Sequence, residues 1–398
     1  MPPDSDLGRA YSQARSSSLE ATIQEHVSSA MPSARTYRRV VWDDPGSGKE
    51  YENDVVALIG NTIFLFEAKS GRLDEVARRG GESSLVRNFR ELFVDPGIQA
   101  ARLERYLNAK GKNAQLRLKD TGELISLDLE HPKIVHKFSV CIEHFASLTS
   151  AKHNLKLFGA IKDDTAWAPV LSIGELLLLW HYLDTEISFY HYLTRRATLE
   201  DLIDFEGDEQ DILSTYLVNG LCFNPKAIQG RKIIFLEMDH TVKEDRLPRA
   251  DRTEFHVYGV PLTPYWQRVL KEIYEEKDQR HRFDIIQCIL NQDPHVLANI
   301  DKRSRSWRSG LGGKNHDMIL SRYPIGKRVF VLGYYFSKYP MHDEEWRERS
   351  RTVAQTGAGA LFAATDCVVL LRCKKSREQT FDAVSFFRLI PVERSQAV

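Results

Sequence analysis

The alternation of apolar and polar residues around residue 60 predicts a β-hairpin. Residues 54–59 form one largely apolar run, Gly60-Asn61-Thr62 supplies turn-forming residues, and residues 63–69 form a second run. Successive side chains on a strand point to opposite faces, so Glu67 and Lys69 should share one face of the second strand. The pattern therefore predicts two paired strands with a charged end.

Three ionisable residues meet at that charged end. Asp54 begins the first strand, and antiparallel pairing should place it beside Glu67 and Lys69 on the second. Such groups at the end of an apolar strand are costly unless they serve one site. Two carboxylates can hold Mg²⁺ or Mn²⁺, and a lysine beside the metal can orient water and offset phosphate charge. A solvated strand edge with a surface ion pair is the competing interpretation.

A helix over residues 95–107 is predicted to carry a polar stripe. Gln99, Arg102 and Tyr106 recur at intervals of three and four residues, which places them on one helical face. The functional interpretation puts Gln99 near the metal or the scissile phosphate and Arg102 on the nucleic-acid backbone. For Arg102 and Tyr106, an ordinary amphipathic helix with a solvated side is the alternative.

Together these motifs resemble the PD-(D/E)xK nuclease superfamily, and within it the nuclease-related domain (NERD) group. The matching segments are Glu52-Asn53-Asp54, Phe66-Glu67-Ala68-Lys69-Ser70-Gly71, Arg78-Arg79-Gly80 and Gln99-Ala100-Ala101-Arg102. The resemblance implies a restriction-endonuclease-like mixed sheet flanked by helices. It also implies Mg²⁺-dependent or Mn²⁺-dependent hydrolysis, with Asp54, Glu67, Lys69 and Gln99 as the catalytic residues.

The resemblance further implies that a glutamate on the first helix completes the metal site with the two strand carboxylates. Glu20 fits this role, because Ile23 and Val27 follow it by three and seven residues on the apolar face of a predicted helix. Glu25 is the alternative, and the sequence does not decide between the two.

Two basic stretches are candidates for nucleic-acid contacts. Arg78 and Arg79 lie in a loop predicted between the Lys69 strand and the Gln99 helix, where guanidinium groups suit phosphate. Residues 301–316 interleave cations with a tryptophan and glycines, which is typical of a flexible loop that binds phosphate and stacks on bases. The contacts predicted there are Arg303, Arg305, Trp307 and Arg308. A solvated loop is the alternative in both stretches.

Length and composition predict more than one domain. The chain has 398 residues, of which 42% are hydrophobic, enough for a sizeable core. Residues 1–205 would form the nuclease-like domain and residues 206–398 a second α/β domain of unassigned fold, with 206–300 as a candidate helical linker region. Strands of the second domain are predicted at residues 328–335, 366–373 and 381–389.

Charge and cysteine content narrow the functional classes. Lys plus Arg and Asp plus Glu number 55 each, so nucleic-acid binding must depend on local patches rather than on a global cationic field. Five cysteines include no Cys-x-x-Cys pair and indicate neither a zinc site nor a disulfide framework. The chain shows no secretory signal and no apolar run of bilayer length, which predicts a cytoplasmic protein without a membrane partner.

The resulting hypothesis is a metal-dependent nuclease that hydrolyses phosphodiester bonds of DNA, with bacterial genome defence or restriction as the implied setting. The alternative is a non-catalytic nucleic-acid-binding or scaffold protein, in which the carboxylates and the lysine are an ion-pair relic. A homodimer and a defence-system partner protein both stay open. The sequence distinguishes neither DNA from RNA nor single from double strands.

Overall fold

The computed structural model forms two compact units. The described residues are 5–44, 46–127, 134–146, 152–157, 159, 161–162, 164–223, 232–234, 255–277, 281–308, 315–325, 328–359, 363–373 and 380–389. One unit contains the described residues up to Tyr216, with Phe223 and Lys232–Ile234. The other contains Leu217–Cys222 and the described residues from 255 to 389.

The first unit is built on a seven-stranded mixed sheet, in the spatial order β5-β4-β1-β2-β3-β6-β7. Its strands are β1 (Arg35–Asp44), β2 (Lys49–Ile59), β3 (Thr62–Lys69), β4 (Leu116–Leu118), β5 (Leu124–Ile125), β6 (Ile134–Cys141) and β7 (Val170–Ser172). Pairing is parallel between β3 and β6 and between β6 and β7, and antiparallel elsewhere in this sheet. A separate parallel pair joins β8 (Asp204–Glu206) to β9 (Lys232–Ile234).

Helices flank this sheet, so the predicted mixed α/β class is confirmed. Helices α1 (Asp6–Ala30), α4 (Asp95–Lys110), α6 (Ile173–Leu183) and α7 (Glu186–Leu202) pack on it. The other helices in this part of the chain are α2 (Glu75–Arg78), α3 (Glu82–Phe89), α5 (Lys152–Leu157) and α8 (Glu209–Asn219). A π-helical turn, Arg90–Val94, joins α3 to α4.

The predicted hairpin is formed by β2 and β3. The two strands pair antiparallel up to Ile59 opposite Thr62, and Gly60 and Asn61 make the turn. Gly60 has a φ of 53°, a left-handed conformation that glycine adopts without a Cβ clash. Strand β2 begins at Lys49, earlier in the chain than the alternation predicts.

Helices cover both faces of the sheet at β3, which explains why this strand is apolar up to its charged end. Ile63 and Leu65 pack with Leu103 of α4 in one cluster. The ring of Phe64 instead meets Tyr190 of α7 edge-on, with centroids 5.8 Å apart. Because side chains alternate along a strand, α4 and α7 lie on opposite faces.

The second unit contains a four-stranded mixed sheet in the order β10-β11-β12-β13. Its strands are β10 (His316–Ile325), β11 (Arg328–Ser337), β12 (Asp366–Cys373) and β13 (Ala383–Arg388), and its helices are α9 (Pro264–Glu275), α10 (Arg282–Leu290), α11 (Pro294–Arg308) and α12 (Asp343–Ala358). The three strands predicted for this half are confirmed as β11, β12 and β13. Helices α9 and α10, from the candidate linker region, belong to this unit, and α10 packs on β11 and β12.

The prediction of a flexible loop over residues 301–316 is wrong at both ends of that segment. Helix α11 continues to Arg308, and β10 begins at His316. Residues 309–314 lie outside the described part of the chain. The helix is supported by side chains that are buried at helical spacing, namely Leu297, Ile300 and Ser304.

In the described part of the chain, every helix is too short or too polar to cross a lipid bilayer.

Candidate active site

Asp54 lies where strands β2 and β3 stop pairing. The last paired residues are Val55 and Phe66. Beyond them, the backbone N–H of Ala68 donates a hydrogen bond to Oδ2 of Asp54 at 2.7 Å. In a regular sheet, a backbone carbonyl of the neighbouring strand would accept that hydrogen bond. On β1, Arg39 adopts a φ of 56°, and the pairing with β2 skips it. The sheet is therefore irregular on both sides of the Asp54 carboxylate.

Glu67 is held in place by a chain of two hydrogen bonds. The residue is 1% exposed, and its Oε1 accepts a hydrogen bond from Nδ2 of Asn53 at 2.6 Å. Oδ1 of Asn53 accepts in turn from the indole Nε1 of Trp42 at 3.1 Å. Because Asn53 and Trp42 are both buried, this chain fixes the orientation of the Glu67 carboxylate.

Burial and mutual repulsion make the two carboxylates reluctant to ionise together. The pKa of Glu67 is raised to about 8, mainly because burial removes its charge from water and also because Asp54 is near. Burial also raises the pKa of Asp54, while the charge of Lys69 and the Ala68 N–H oppose the rise. One lysine thus faces the buried carboxylate of Glu67 and the half-buried carboxylate of Asp54, and the site favours a bound proton or a further cation.

Lys69 reaches from β3 to α4. Its Nζ donates a hydrogen bond to Oε1 of Gln99 at 2.8 Å, which leaves two of its three ammonium hydrogens for other acceptors. The structure therefore brings together the four residues predicted as catalytic: Asp54, Glu67, Lys69 and Gln99.

Helix α4 approaches its neighbours closely because Gly97 has no side chain. A Cβ at this position would lie 2.6 Å from the carbonyl oxygen of Ala166 and 2.9 Å from the backbone nitrogen of Ala168. Gln99 lies two residues further along the same helix, so its place beside Lys69 depends on this close packing.

The two candidate glutamates on α1 have different surroundings. Helix α1 packs on β1, β2 and β3. Glu20 is half-buried, and its pKa is raised by burial and then by the charges of Asp54 and Glu52. Glu25 is exposed. The structure therefore favours Glu20 as the glutamate whose charge acts on the strand carboxylates.

The oxygen donors suit a hard divalent cation without forming a complete cage. Among the described residues, no three or more His, Cys, Asp and Glu side chains are arranged as a metal site, so Glu20 does not complete one with Asp54 and Glu67. Mg²⁺ commonly takes one or two protein carboxylates and fills its other positions with water and substrate phosphate. The buried carboxylate of Glu67 and the half-buried carboxylate of Asp54, which repel each other, fit that ion.

Two of the arginines predicted to contact nucleic acid in the first unit, Arg78 and Arg79, are exposed and ion-paired. Arg78 ends helix α2 and pairs with Glu143 at 2.7 Å. Arg79 follows and pairs with Glu75 at 3.3 Å. Exposed pairs of this kind contribute little to stability, so they leave both arginines available to other anions.

The basic residues of the second unit lie on helix α11 rather than on a loop. Arg303 pairs with Asp317, and Arg305 pairs with Asp301 at 3.2 Å. The side chains of Trp307 and Arg308 lie outside the described residues. Contact of this helix with nucleic acid stays a prediction.

Asn53 and Trp42 are site residues that sequence reasoning missed. Asn53 belongs to the matching segment Glu52-Asn53-Asp54, and its position between two acids was the available signal. Its role becomes visible only when β1 pairs with β2 and places Trp42 opposite Tyr51, on the same side of the sheet as Asn53.

Comparison with models of known protein families gives no match, and a search of curated proteins gives none either. The geometry of the site and the sequence motifs are therefore the basis for assigning a function.

Proposed function

We propose that this chain is a metal-dependent nuclease and that its first unit has the restriction-endonuclease-like fold. One observation carries the proposal: the buried carboxylate of Glu67 and the half-buried carboxylate of Asp54 lie at the irregular end of a hairpin beside Lys69, which Gln99 holds. A relic ion pair would balance its charges. Here the two carboxylates outnumber the lysine, so either a proton on Glu67 or a bound cation must offset the second charge.

Each residue has a distinct role in this proposal. Asp54 and Glu67 would hold Mg²⁺ or Mn²⁺, which would polarise the scissile phosphate and offset its charge when bound. Lys69 would donate its remaining hydrogens to the attacking water and to a phosphate oxygen, while Gln99 keeps the ammonium in position. Asn53 keeps the Glu67 carboxylate oriented. The water oxygen would bond to phosphorus as the bond to the leaving oxygen breaks; the water would lose a proton to solvent and the leaving oxygen would take one from solvent, without a covalent enzyme intermediate.

The proposed substrate is DNA, and the proposed setting is genome defence or restriction in the cytoplasm. Arg78, Arg79 and Arg102 would contact phosphates in the first unit. Cutting both strands of a duplex requires two such sites, which a homodimer or a partner protein would supply.

A cleavage assay with the full chain tests the proposal. Linear duplex, circular and single-stranded DNA are incubated with Mg²⁺ or Mn²⁺, and wild type is compared with Asp54→Asn, Glu67→Gln and Lys69→Met. We expect metal-dependent cutting that falls at least about 100-fold in each variant. Glu25→Gln, at an exposed position on α1, is the matched control and should cut like wild type.

Cutting that survives Asp54→Asn and Lys69→Met in folded protein would contradict the proposal. So would the combination of no cutting and no metal-induced rise in Tm. A metal-induced rise in Tm without cutting would instead indicate a nuclease that requires an activating partner.

A further inference from the structure

A pocket of about 290 Å³ lies between helix α4 and the ends of strands β1 and β2. This volume is at the lower limit of the roughly 300–1,000 Å³ that small-ligand sites occupy. Its residues come from the first unit alone. None of the residues proposed to hold the metal lines it.

Aromatic rings form one part of the pocket wall. Trp42, Tyr51 and Tyr106 line it, and the ring of Trp42 lies 5.2 Å from that of Tyr51 and 4.5 Å from that of Tyr106. Trp42 is 2% exposed and Tyr51 half-buried, so Tyr51 offers more of its ring to a ligand. A flat aromatic ligand would be favoured against such a wall.

Cations form the other part of the wall. Arg102, Arg105 and Lys110 project from α4, and within the described residues none of the three has a carboxylate at ion-pair distance. The guanidinium carbon of Arg102 lies 5.0 Å from the ring centroid of Tyr51. Three cations beside aromatic rings suit a ligand that joins a flat ring to an anion.

One carboxylate, that of Asp44, also lines the pocket. It accepts hydrogen bonds from the backbone N–H groups of Gly46 and Ser47 and from the Ser47 hydroxyl at 2.7 Å. Its pKa is lowered first by the Ser47 hydroxyl, then by the Gly46 N–H, and further by the charge of Arg105. Three cations against one carboxylate leave the pocket with a positive excess.

We infer that this pocket binds one unstacked nucleotide of the strand that the enzyme cleaves. The base would stack on Tyr51, and its phosphate would contact Arg102, Arg105 or Lys110. The inference deepens the proposed function and rests on it for the identity of the ligand as a substrate strand. It predicts a preference for single-stranded or locally unpaired nucleic acid over an intact duplex.

The position of the pocket favours part of the substrate strand as its ligand, rather than a separate effector molecule. Gln99 and Arg105 are six residues apart on α4, a rise of roughly 9 Å, which a single strand can span. Trp42, in the pocket wall, donates the hydrogen bond that fixes Asn53, and Asn53 fixes Glu67. A nucleotide in the pocket would therefore contact Trp42, which helps to hold the catalytic carboxylate of Glu67 in place.

Binding without cleavage tests this inference separately from the nuclease assay. Fluorescence anisotropy in EDTA would follow a short labelled oligothymidylate, a duplex of the same length and unlabelled thymidine 5′-monophosphate as competitor. The variants are Tyr51→Leu and Arg102→Ala in the full chain, with Tm measured for each. Tyr11→Leu and Arg35→Ala, at exposed positions that do not line the pocket, control for loss of a ring and of a charge.

We expect the single strand to bind more tightly than the duplex and both pocket variants to bind it roughly ten-fold more weakly. Arg102→Ala should also reduce the slope of log K against log salt by about 0.7, whereas Tyr51→Leu should leave that slope unchanged. Both controls should bind like wild type.

Wild-type affinity in a folded Tyr51→Leu variant would overturn the inference, as would equal affinity for duplex and single strand. If thymidine monophosphate displaces the single strand at equal concentration, the pocket is a site for a free nucleotide and not for part of a strand. That result would overturn the inference. Because no metal is present, loss of cleavage in the nuclease assay would leave these outcomes unaffected.

Discussion

Burial of the Glu67 carboxylate is energetically costly, and the proposed metal binding explains why a carboxylate occupies this position. A carboxylate that is 1% exposed loses most of its hydration, and its pKa is raised to about 8 as a result. Asn53 and Lys69 lower the cost without removing it. A residue in this position is therefore close to the point where a proton and a metal ion compete for it at neutral pH.

Because the pKa of Glu67 is raised in the folded protein, the stability of the protein should depend on pH. Folded Glu67 holds its proton up to about pH 8, whereas the unfolded side chain releases it near 4.5. Between these values the native state binds more protons than the unfolded state, so the free energy of unfolding should fall as pH rises. The fall should approach ~1.4 kcal/mol per pH unit in metal-free protein. Urea unfolding across this range measures it.

Glu67→Gln should remove most of that dependence, because an amide keeps an acceptor for Asn53 and does not ionise. The variant should therefore be more stable than wild type at pH 8 in the absence of metal. Glu25→Gln, which changes an exposed carboxyl, should follow the wild-type curve. Parallel curves for wild type and Glu67→Gln would show that Glu67 ionises normally in the folded protein.

Among the elements, the hairpin and α4 were predictable because their signals are local. Alternation along a strand places Glu67 beside Lys69, and helical spacing places Gln99 with Arg102. The partner of Glu67 was not predictable in this way. Asn53 and Trp42 meet only through the register of β1 on β2, and Arg39, with its positive φ, interrupts the alternation of β1.

Helix α11 is an element that the sequence pattern predicted wrongly, as a flexible loop. Its arginines and the glycines that follow resemble a loop by composition, but Leu297 and Ile300 precede them at helical spacing and are buried. Burial of an apolar stripe stabilises a helix even when its exposed side is rich in charge. Composition was therefore the weaker signal in this segment.

Helix α4 offers a test at the scale of an element. Gly97→Ala would put a methyl group 2.6 Å from the Ala166 carbonyl oxygen, so α4 must shift or the backbone at Ala166 must move. We expect a loss of about 1–3 kcal/mol in the free energy of unfolding and, because Gln99 moves with the helix, a larger proportional loss of cleavage. Urea unfolding and the nuclease assay measure the two effects.

Gly174→Ala is the matched control, since Gly174 lies on helix α6 and a Cβ there would meet only the Ser172 Oγ at 3.9 Å. It should be neutral or slightly stabilising, as alanine favours helices by up to ~1 kcal/mol over glycine. Equal stability of the Gly97→Ala and Gly174→Ala variants would contradict the close packing described for α4.

Across the whole molecule, acidic and basic residues are equal in number, so no net positive charge attracts nucleic acid. Whether a given cation can bind phosphate therefore depends on whether a carboxylate already pairs with it. Arg303 and Arg305 face aspartates, whereas Arg102 and Arg105 have no such partner among the described residues. A phosphate that binds the α11 arginines must displace Asp317 and Asp301, whose charges then oppose it.

Two double variants compare these sites. Arg303→Ala with Arg305→Ala should change the affinity for single-stranded DNA by less than about two-fold, because their charges are already offset. Arg102→Ala with Arg105→Ala should weaken binding by more than about ten-fold at the same salt concentration. Anisotropy titration in EDTA measures both. The reverse order would place the principal binding surface on the second unit.

Calorimetric titration of Mn²⁺ into the full chain at pH 8 and at pH 6 tests whether Asp54 and Glu67 form a metal site. We predict binding in wild type and Glu25→Gln, its loss in Asp54→Asn, and an affinity that weakens by up to about ten-fold per pH unit below pH 8 as the proton on Glu67 competes. Absence of binding in wild type, or equal binding in Asp54→Asn, would contradict a metal site at Asp54 and Glu67.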